Sequence, residues 1–270
     1  MDYLKFFLGI GLAVIIVFAG VSTYTSLQKN AATHTDRETL YQVSTIDALM
    51  QGAFEGTQPV SEIRKHGDFG IGTFDALDGE MIVLDGTVYQ AKADGKIYKV
   101  PDTATSPLAT VTYFDRDLVM KTNQQMNSTE YAGYITSRLP SQNLIYAVKV
   151  HGTFPVMKVR AIPAQVKPYP NLTEAAKSQS VHEYQNATGT LVGFYTPVFF
   201  KGLNVAGFHL HFIADDHATG GHVLDFSIAP GTDTELDLTP GFAMALPTNS
   251  SFTRIDLSKD LSGDLAKVEK

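Results

Sequence analysis

Val205-Ala-Gly-Phe-His-Leu-His-Phe-Ile-Ala-Asp-Asp-His-Ala-Thr-Gly-Gly-His-Val-Leu-Asp-Phe226 gathers four of the chain's eight histidines between positions 209 and 222. Side chains alternate faces along an extended strand, so His209 and His211 project from one face together. Phe208, Leu210, Phe212 and Ile213 suit a buried strand. Asp215 to Gly221 is polar and ends in Gly-Gly, and Val223, Leu224 and Phe226 resume the apolar pattern. The pattern predicts a β-hairpin whose return strand carries His222 to the face of the first two. Three imidazoles with coordination positions left over describe a catalytic zinc site or a related transition-metal site. The competing reading makes His209 and His211 hydrogen-bonded core residues and His217 and His222 turn decoration. Three imidazoles in an apolar setting need partners, which favours the metal, and His217 in the polar loop is left out of it.

Working outward, 270 residues with 44% apolar and 18% charged content describe an ordinary globular protein large enough for one big domain or two smaller ones. A net charge of −7 argues against nucleic acid as a partner. Cysteine is absent, so any metal is held by nitrogen and oxygen, and neither a disulfide framework nor a cysteine nucleophile is available. Phe6 to Val21 is an apolar run after Lys5, followed by a polar stretch, and it looks like an export signal or an uncleaved anchor. Residues 1–35 are therefore read as signal or anchor plus linker, 36–165 as an N-terminal β-rich domain and 166–270 as a metal-binding domain. Pro163 to Pro170 marks the boundary between the last two.

Between these limits, Glu38 to Met50 shows a helical stripe, and Asp78-Gly79 and Asp85-Gly86 are hairpin turn signals. Gly70-x-Gly72 lacks the third glycine of a dinucleotide fingerprint and lies among hairpins, so it is not read as one. Thr129 to Leu139 and Leu172 to Gln185 have helical spacing. Asn143 to Val150, Val156 to Ile162 and Thr190 to Phe200 read as strands, and the last fifteen residues as a charged helix. Four Asn-x-Ser/Thr sequons start at Asn127, Asn171, Asn186 and Asn249.

A metal held by neutral imidazoles keeps its full charge and calls for carboxylates nearby. Glu80 sits at a turn-to-strand junction with apolar neighbours; it is either such a carboxylate or an exposed residue after a turn. Arg160 lies in Val156-Met-Lys-Val-Arg-Ala-Ile162 with Lys158 on the same face. Its planar fork suits a substrate carboxylate, although the local pattern alone favours a surface ladder residue.

Gly67-Asp-Phe-Gly-Ile-Gly-Thr-Phe-Asp-Ala-Leu-Asp-Gly-Glu-Met81, Tyr146-Ala-Val-Lys-Val150, Lys158-Val-Arg160, Lys167-Pro-Tyr-Pro170, Gly193-Phe-Tyr-Thr-Pro197 and the histidine hairpin occur in this order. Together they resemble the α-acetolactate decarboxylases from about residue 40 to the C-terminus. The resemblance implies an α/β (α+β), β-rich, two-domain protein: a mixed sheet in the N-terminal part and an antiparallel sheet carrying the His-x-His hairpin in the C-terminal part. It implies zinc on His209, His211 and His222, with Glu80, Arg160, Glu269 and Thr73 in or beside the site. Glu269 enters only through the likeness of Lys267-Val-Glu269 to the family's ending, and by its own setting would read as a solvated tail residue. Glu183 is a further uncommitted acid. The implied reaction takes 2-acetolactate to acetoin and carbon dioxide without an organic cofactor. A cupin-like metal-dependent oxygenase and a zinc-stabilised binding module are the alternatives. The first lacks a glutamate in Phe212 to Asp216, and the second lacks a fourth structural ligand. The expected partners are 2-acetolactate, a membrane surface reached through the N-terminal segment and a second copy of the chain, and the expected location is outside the cytoplasm.

Overall fold

The computed structural model describes residues 37–269, and residues 37–270 group as one compact unit. The apolar run Phe6 to Val21 lies outside the described residues. No helix among the described residues is long and apolar enough to cross a membrane.

Two seven-stranded sheets make the frame. The first has the order β16 (Gly241–Ala245), β1 (Thr39–Val43), β8 (Ala109–Thr112), β3 (Phe69–Thr73), β4 (Glu80–Leu84), β5 (Thr87–Ala91), β6 (Ile97–Lys99). It is mixed, because β1 runs parallel to β16 and antiparallel to β8. The second is antiparallel in the order β10 (Met126–Asn127), β14 (Gly220–Ile228), β13 (Gly207–Ala214), β12 (Ser180–Thr196), β11 (Tyr146–Ala161), β15 (Asp233–Leu238), β9 (Leu118–Lys121). A two-stranded ribbon pairs β2 (Gln58–Pro59) with β7 (Thr105–Ser106).

The sheets face each other across a core whose residues follow the two-residue period of a strand. Val192 and Phe194 on β12 and Ile213 on β13 pack with Leu40, Phe69, Ile71 and Ile82 of the first sheet. Leu191, Leu210 and Phe212 point the other way, into a core shared with Tyr131 and Ile135 of helix α3. Of the helices, α1 is Ile46–Met50, α2 Val60–Ile63, α3 Ser128–Thr136, α4 Leu172–Ala175, α5 Ser250–Thr253 and α6 Ser262–Val268. Asn127 caps α3 in a full capping box, its side chain accepting from the Glu130 backbone N–H while the Glu130 side chain accepts from Asn127 N–H. Asn127→Ala should therefore cost about 1 kcal/mol, roughly 2–4 °C in Tm, read by thermal unfolding; an unchanged Tm would show the cap to be irrelevant. Asn171 and Asn249 cap α4 and α5 by a side chain that accepts from the backbone N–H of Glu174 and Phe252, so three of the four sequons are Asn-led helix starts.

Two helical expectations are corrected. Glu38 to Met50 is a strand followed by a short helix: Ser44 turns the chain at φ 63°, and Thr45 caps α1 by accepting from Ala48 N–H. Leu172 to Gln185 is helical only to Ser178 and then becomes the long strand β12. In both, the apolar positions of two consecutive elements merge into one apparent stripe. The two predicted strands on either side of Gly152 are one strand, β11.

The feature that positions the site is a double pairing. β14 pairs with β13 on one side and with the second half of β11 on the other, so β11 to β14 close on themselves. His222 thus lies opposite His211 across one seam and opposite Arg160 across the other. Gly221 makes the approach possible: it sits at φ +154°, and a Cβ there would lie 2.6 Å from the Arg160 carbonyl oxygen.

Candidate metal centre

The hairpin predicted around His209 is present, with His211 and His222 as direct cross-strand partners. His209 and His211 face the first sheet, in the direction taken by Val192 and Phe194 opposite them. Ring centroids are 5.3 Å apart for His209–His211, 5.0 Å for His209–His222 and 5.4 Å for His211–His222. One ring nitrogen of each lies within 4.8 Å of those of the other two. His217 sits in the turn at φ 52°, its Nδ1 3.4 Å from the Tyr89 hydroxyl and outside the triad.

Met81 on β4 fixes one ring. His211 Nδ1 lies 2.8 Å from the Met81 carbonyl oxygen, which can only accept, so Nδ1 carries the proton and Nε2 turns its lone pair inward. His211 Nε2 and His222 Nε2 are buried and meet no hydrogen-bond partner among the described residues. Burial first, and then the charge of Arg160, hold His209 down at about 3. His211 is also held well below the ordinary imidazole range by burial, followed by the neighbouring histidine, and His222 by burial followed by Arg160. The three rings are neutral at pH 7 and offer lone pairs.

The acids and the arginine close around them. Glu80 begins β4 opposite Thr73, the last residue of β3, and its Oε2 is 3.7 Å from His211 Nε2. Glu269 follows α6, whose Leu265 and Val268 are buried with Ile46, Leu49 and Leu172. That docking aims Glu269 Oε2 to 3.6 Å from His222 Nε2 and 3.8 Å from His209 Nε2. Arg160 Nη2 is 4.0 Å from Glu269 Oε1, while its Nε and Nη1 have no partner among the described residues. Burial raises Glu80 to about 7, against the pull of Arg160 and helped by Glu269; it raises Glu269 to about 7, again against Arg160. Thr73 donates its hydroxyl to the Gly79 carbonyl oxygen at 2.7 Å and lines the same cleft.

Ligands at 2.0–2.2 Å from a tetrahedral ion stand roughly 3.3–3.6 Å apart, close to the spacings found between these histidine nitrogens and carboxylate oxygens. Three neutral imidazoles, two of them with unpartnered buried nitrogens, and two carboxyl groups fit a divalent cation. The triad is able to hold one.

Thus Thr73, Glu80, Arg160, His209, His211, His222 and Glu269 all line one cleft. Glu183 does not: it is exposed on β12, opposite Lys158. The apolar wall of Leu77, Leu108, Ile162 and Leu172 was not singled out in the sequence, because nothing in its spacing separates a cleft wall from core. Gly72, set aside with the dinucleotide motif, also lines the cleft. A Cβ there would meet the Leu108 carbonyl oxygen at 2.4 Å, so its absence lets β3 and β8 close tightly behind the site.

A β-rich, two-sheet protein that buries neutral histidines, an arginine and two carboxyl groups in one cleft is built as an enzyme with a metal-competent polar centre. The family model for alpha-acetolactate decarboxylase matches residues 40–259, and the chain belongs to that family, a family of carboxy-lyases. It is 51% identical over 233 residues to the alpha-acetolactate decarboxylase of Methanosarcina mazei, covering 86% of this chain and 81% of that protein. It is 43% identical over 236 residues to that of Methylococcus capsulatus, covering 87% and 90%. The crystal structure of alpha-acetolactate decarboxylase from Bacillus subtilis strain 168 superposes with a TM-score of 0.83 at 37% identity, covering 86% of this chain and 99% of that one. Glu269 lies beyond the residues matched by the family model.

Proposed function

We propose that this chain converts 2-acetolactate to acetoin and carbon dioxide in the His209–His211–His222 cleft, with zinc as the metal. The observation that carries the reading is the convergence of three neutral histidines, Arg160 and two carboxyl groups in one cleft of a chain from this family. Bound zinc would supply Lewis-acid polarisation of the substrate's ketone and hydroxyl oxygens.

The remaining work falls to the protein's own groups. Arg160, with two unpartnered nitrogens, is placed to grip the substrate carboxylate through a planar fork. When the bond between carboxyl carbon and C2 breaks, the electron pair moves toward the neighbouring carbonyl and CO2 departs. A proton must then be added at C2. A carboxyl group raised to about 7 is partly protonated at neutral pH and can give that proton, so Glu80 and Glu269 are the two available acids. Thr73, tied to the Gly79 carbonyl oxygen, fixes the turn from which Glu80 starts. The apolar wall keeps bulk water from competing for the developing carbanion.

The test is metal analysis of the purified chain together with an assay for acetoin from 2-acetolactate. About one zinc per chain and acetoin formation are expected. A metal-free chain that still forms acetoin would overturn the zinc reading; a zinc-loaded chain that forms none would overturn the reaction. His217→Ala should keep metal content and turnover within about twofold of wild type, since its ring lies outside the triad. Loss of metal in that variant would refute the ligand set.

The Phe6 to Val21 run supports a second proposal, export or membrane attachment of the chain. Fractionation of cells making the tagged full-length chain should place it on the membrane or outside the cytoplasm; recovery in the cytosol alone would overturn this.

A further inference from the structure

A second group of candidate ligands lies away from the histidine cleft, where the two sheets meet. Glu38 immediately precedes β1 of the first sheet, Asp117 immediately precedes β9 of the second, and Asp237 lies near the end of β15. One carboxylate oxygen of each lies within 4.8 Å of those of the other two. Two oxygens at about 2.4 Å on opposite sides of a calcium ion are separated by about that distance, so one ion can touch all three.

Mutual proximity of acidic groups is common and by itself carries nothing. The distinguishing fact is Asp237. Its side chain is 0% exposed, and Oδ1 meets no hydrogen-bond partner among the described residues. Its Oδ2 accepts from Asp115 N–H at 3.2 Å. Asp117 is oriented in turn: its Oδ2 accepts from Leu238 N–H at 2.8 Å, and its own N–H donates to the Leu236 carbonyl oxygen at 3.0 Å. The backbone thus holds two carboxylates side by side and leaves one buried Asp237 oxygen without a partner among the described residues. Burial first, with the charges of Asp117, Glu38 and Asp115, lifts Asp237 to about 7. A buried carboxylate among other carboxylates is costly unless it is neutralised.

We propose that Glu38, Asp117 and Asp237 bind one hard divalent cation of the calcium class, with waters or backbone carbonyls completing its shell. The donor set selects the ion: carboxylate oxygens favour calcium or magnesium, whereas the histidine triad favours a transition metal. Two of the three ligands are exposed, and calcium tolerates the irregular, partly hydrated shell this produces better than magnesium does. The ion would fasten the start of β1 to the edge of the second sheet, beside the Tyr146–Val150 half of β11 and not the half that carries Arg160, and would act on stability instead of turnover.

The experiment uses the full-length, metal-replete chain in calcium-free buffer, with calcium chloride as the probe. Equilibrium dialysis should show about one calcium per chain. Tm should rise by about 3–5 °C at a calcium concentration roughly ten times the dissociation constant. Both effects should be lost in Asp237→Asn and in Asp117→Asn, the second at an exposed position outside the core, while zinc content stays unchanged. Two outcomes would overturn the proposal. Wild type could bind no calcium, or calcium could bind equally well to both variants.

Discussion

Arg160→Lys is expected to lower turnover by roughly 30- to several-thousand-fold while metal content stays near wild type. The fork is what changes. Arg160 is 4% exposed, and two of its nitrogens are free of partners among the described residues, which is the state of a group waiting for an anion. Lysine keeps the charge but offers one point donor on a flexible stem and cannot hold a carboxylate with two parallel bonds. Losing such a contact from a desolvated site costs on the order of 2–5 kcal/mol, which gives the range of rates above. Lys158→Ala is the control, since Lys158 does not line the cleft. Steady-state kinetics with metal analysis on both variants decides the matter. Near wild-type turnover in Arg160→Lys would return the carboxylate-binding role to another group, and simultaneous loss of metal would mean that Arg160 acts on the fold of the site.

His211→Ala should have a larger effect. His211 is 1% exposed and its Nδ1 is committed to Met81, so its Nε2 presents a lone pair whose direction the first sheet fixes. On the proposed zinc reading, bound metal should fall from about one per chain toward none, and acetoin formation by at least about a thousandfold, since a Lewis acid would be worth several kcal/mol to the reaction. Thermal unfolding of the variant separates loss of the ligand from loss of the fold. A folded His211→Ala chain that retains its metal would sink the assignment of this histidine.

The two variants also mark what could be read in the sequence. His211 was legible because its evidence is local: alternation sets it beside His209, and the polar turn ending in Gly-Gly returns His222 to the same face. Glu80 was half legible, from a turn signal and apolar neighbours. Arg160 was not, because its place depends on β14 pairing twice, and a strand's second partner leaves no mark in its own alternation. Glu269 was legible only through family likeness. Its burial comes from Leu265 and Val268 docking against α1 and α4, contacts with residues more than 90 positions earlier in the chain. The helix errors at Glu38 to Met50 and Leu172 to Gln185 have a related cause: a short helix next to a strand leaves overlapping apolar periods, and the deciding signals are a positive φ at Ser44 and the pairing of β12 with β11.

The closed circuit of β11 to β14 bears on the order of events when the chain folds. The β13–β14 hairpin is local and can form early, but it brings only the histidines together. The β11–β14 seam that delivers Arg160 joins strands distant in sequence and carries a larger loop-closure cost. The three histidines can therefore meet before the arginine arrives, and a cation captured by the hairpin alone would be held by a half-built site. If the cation binds tightly only after closure, it should slow unfolding far more than it speeds folding. Stopped-flow refolding and unfolding with and without zinc would show this as a change mainly in the unfolding limb.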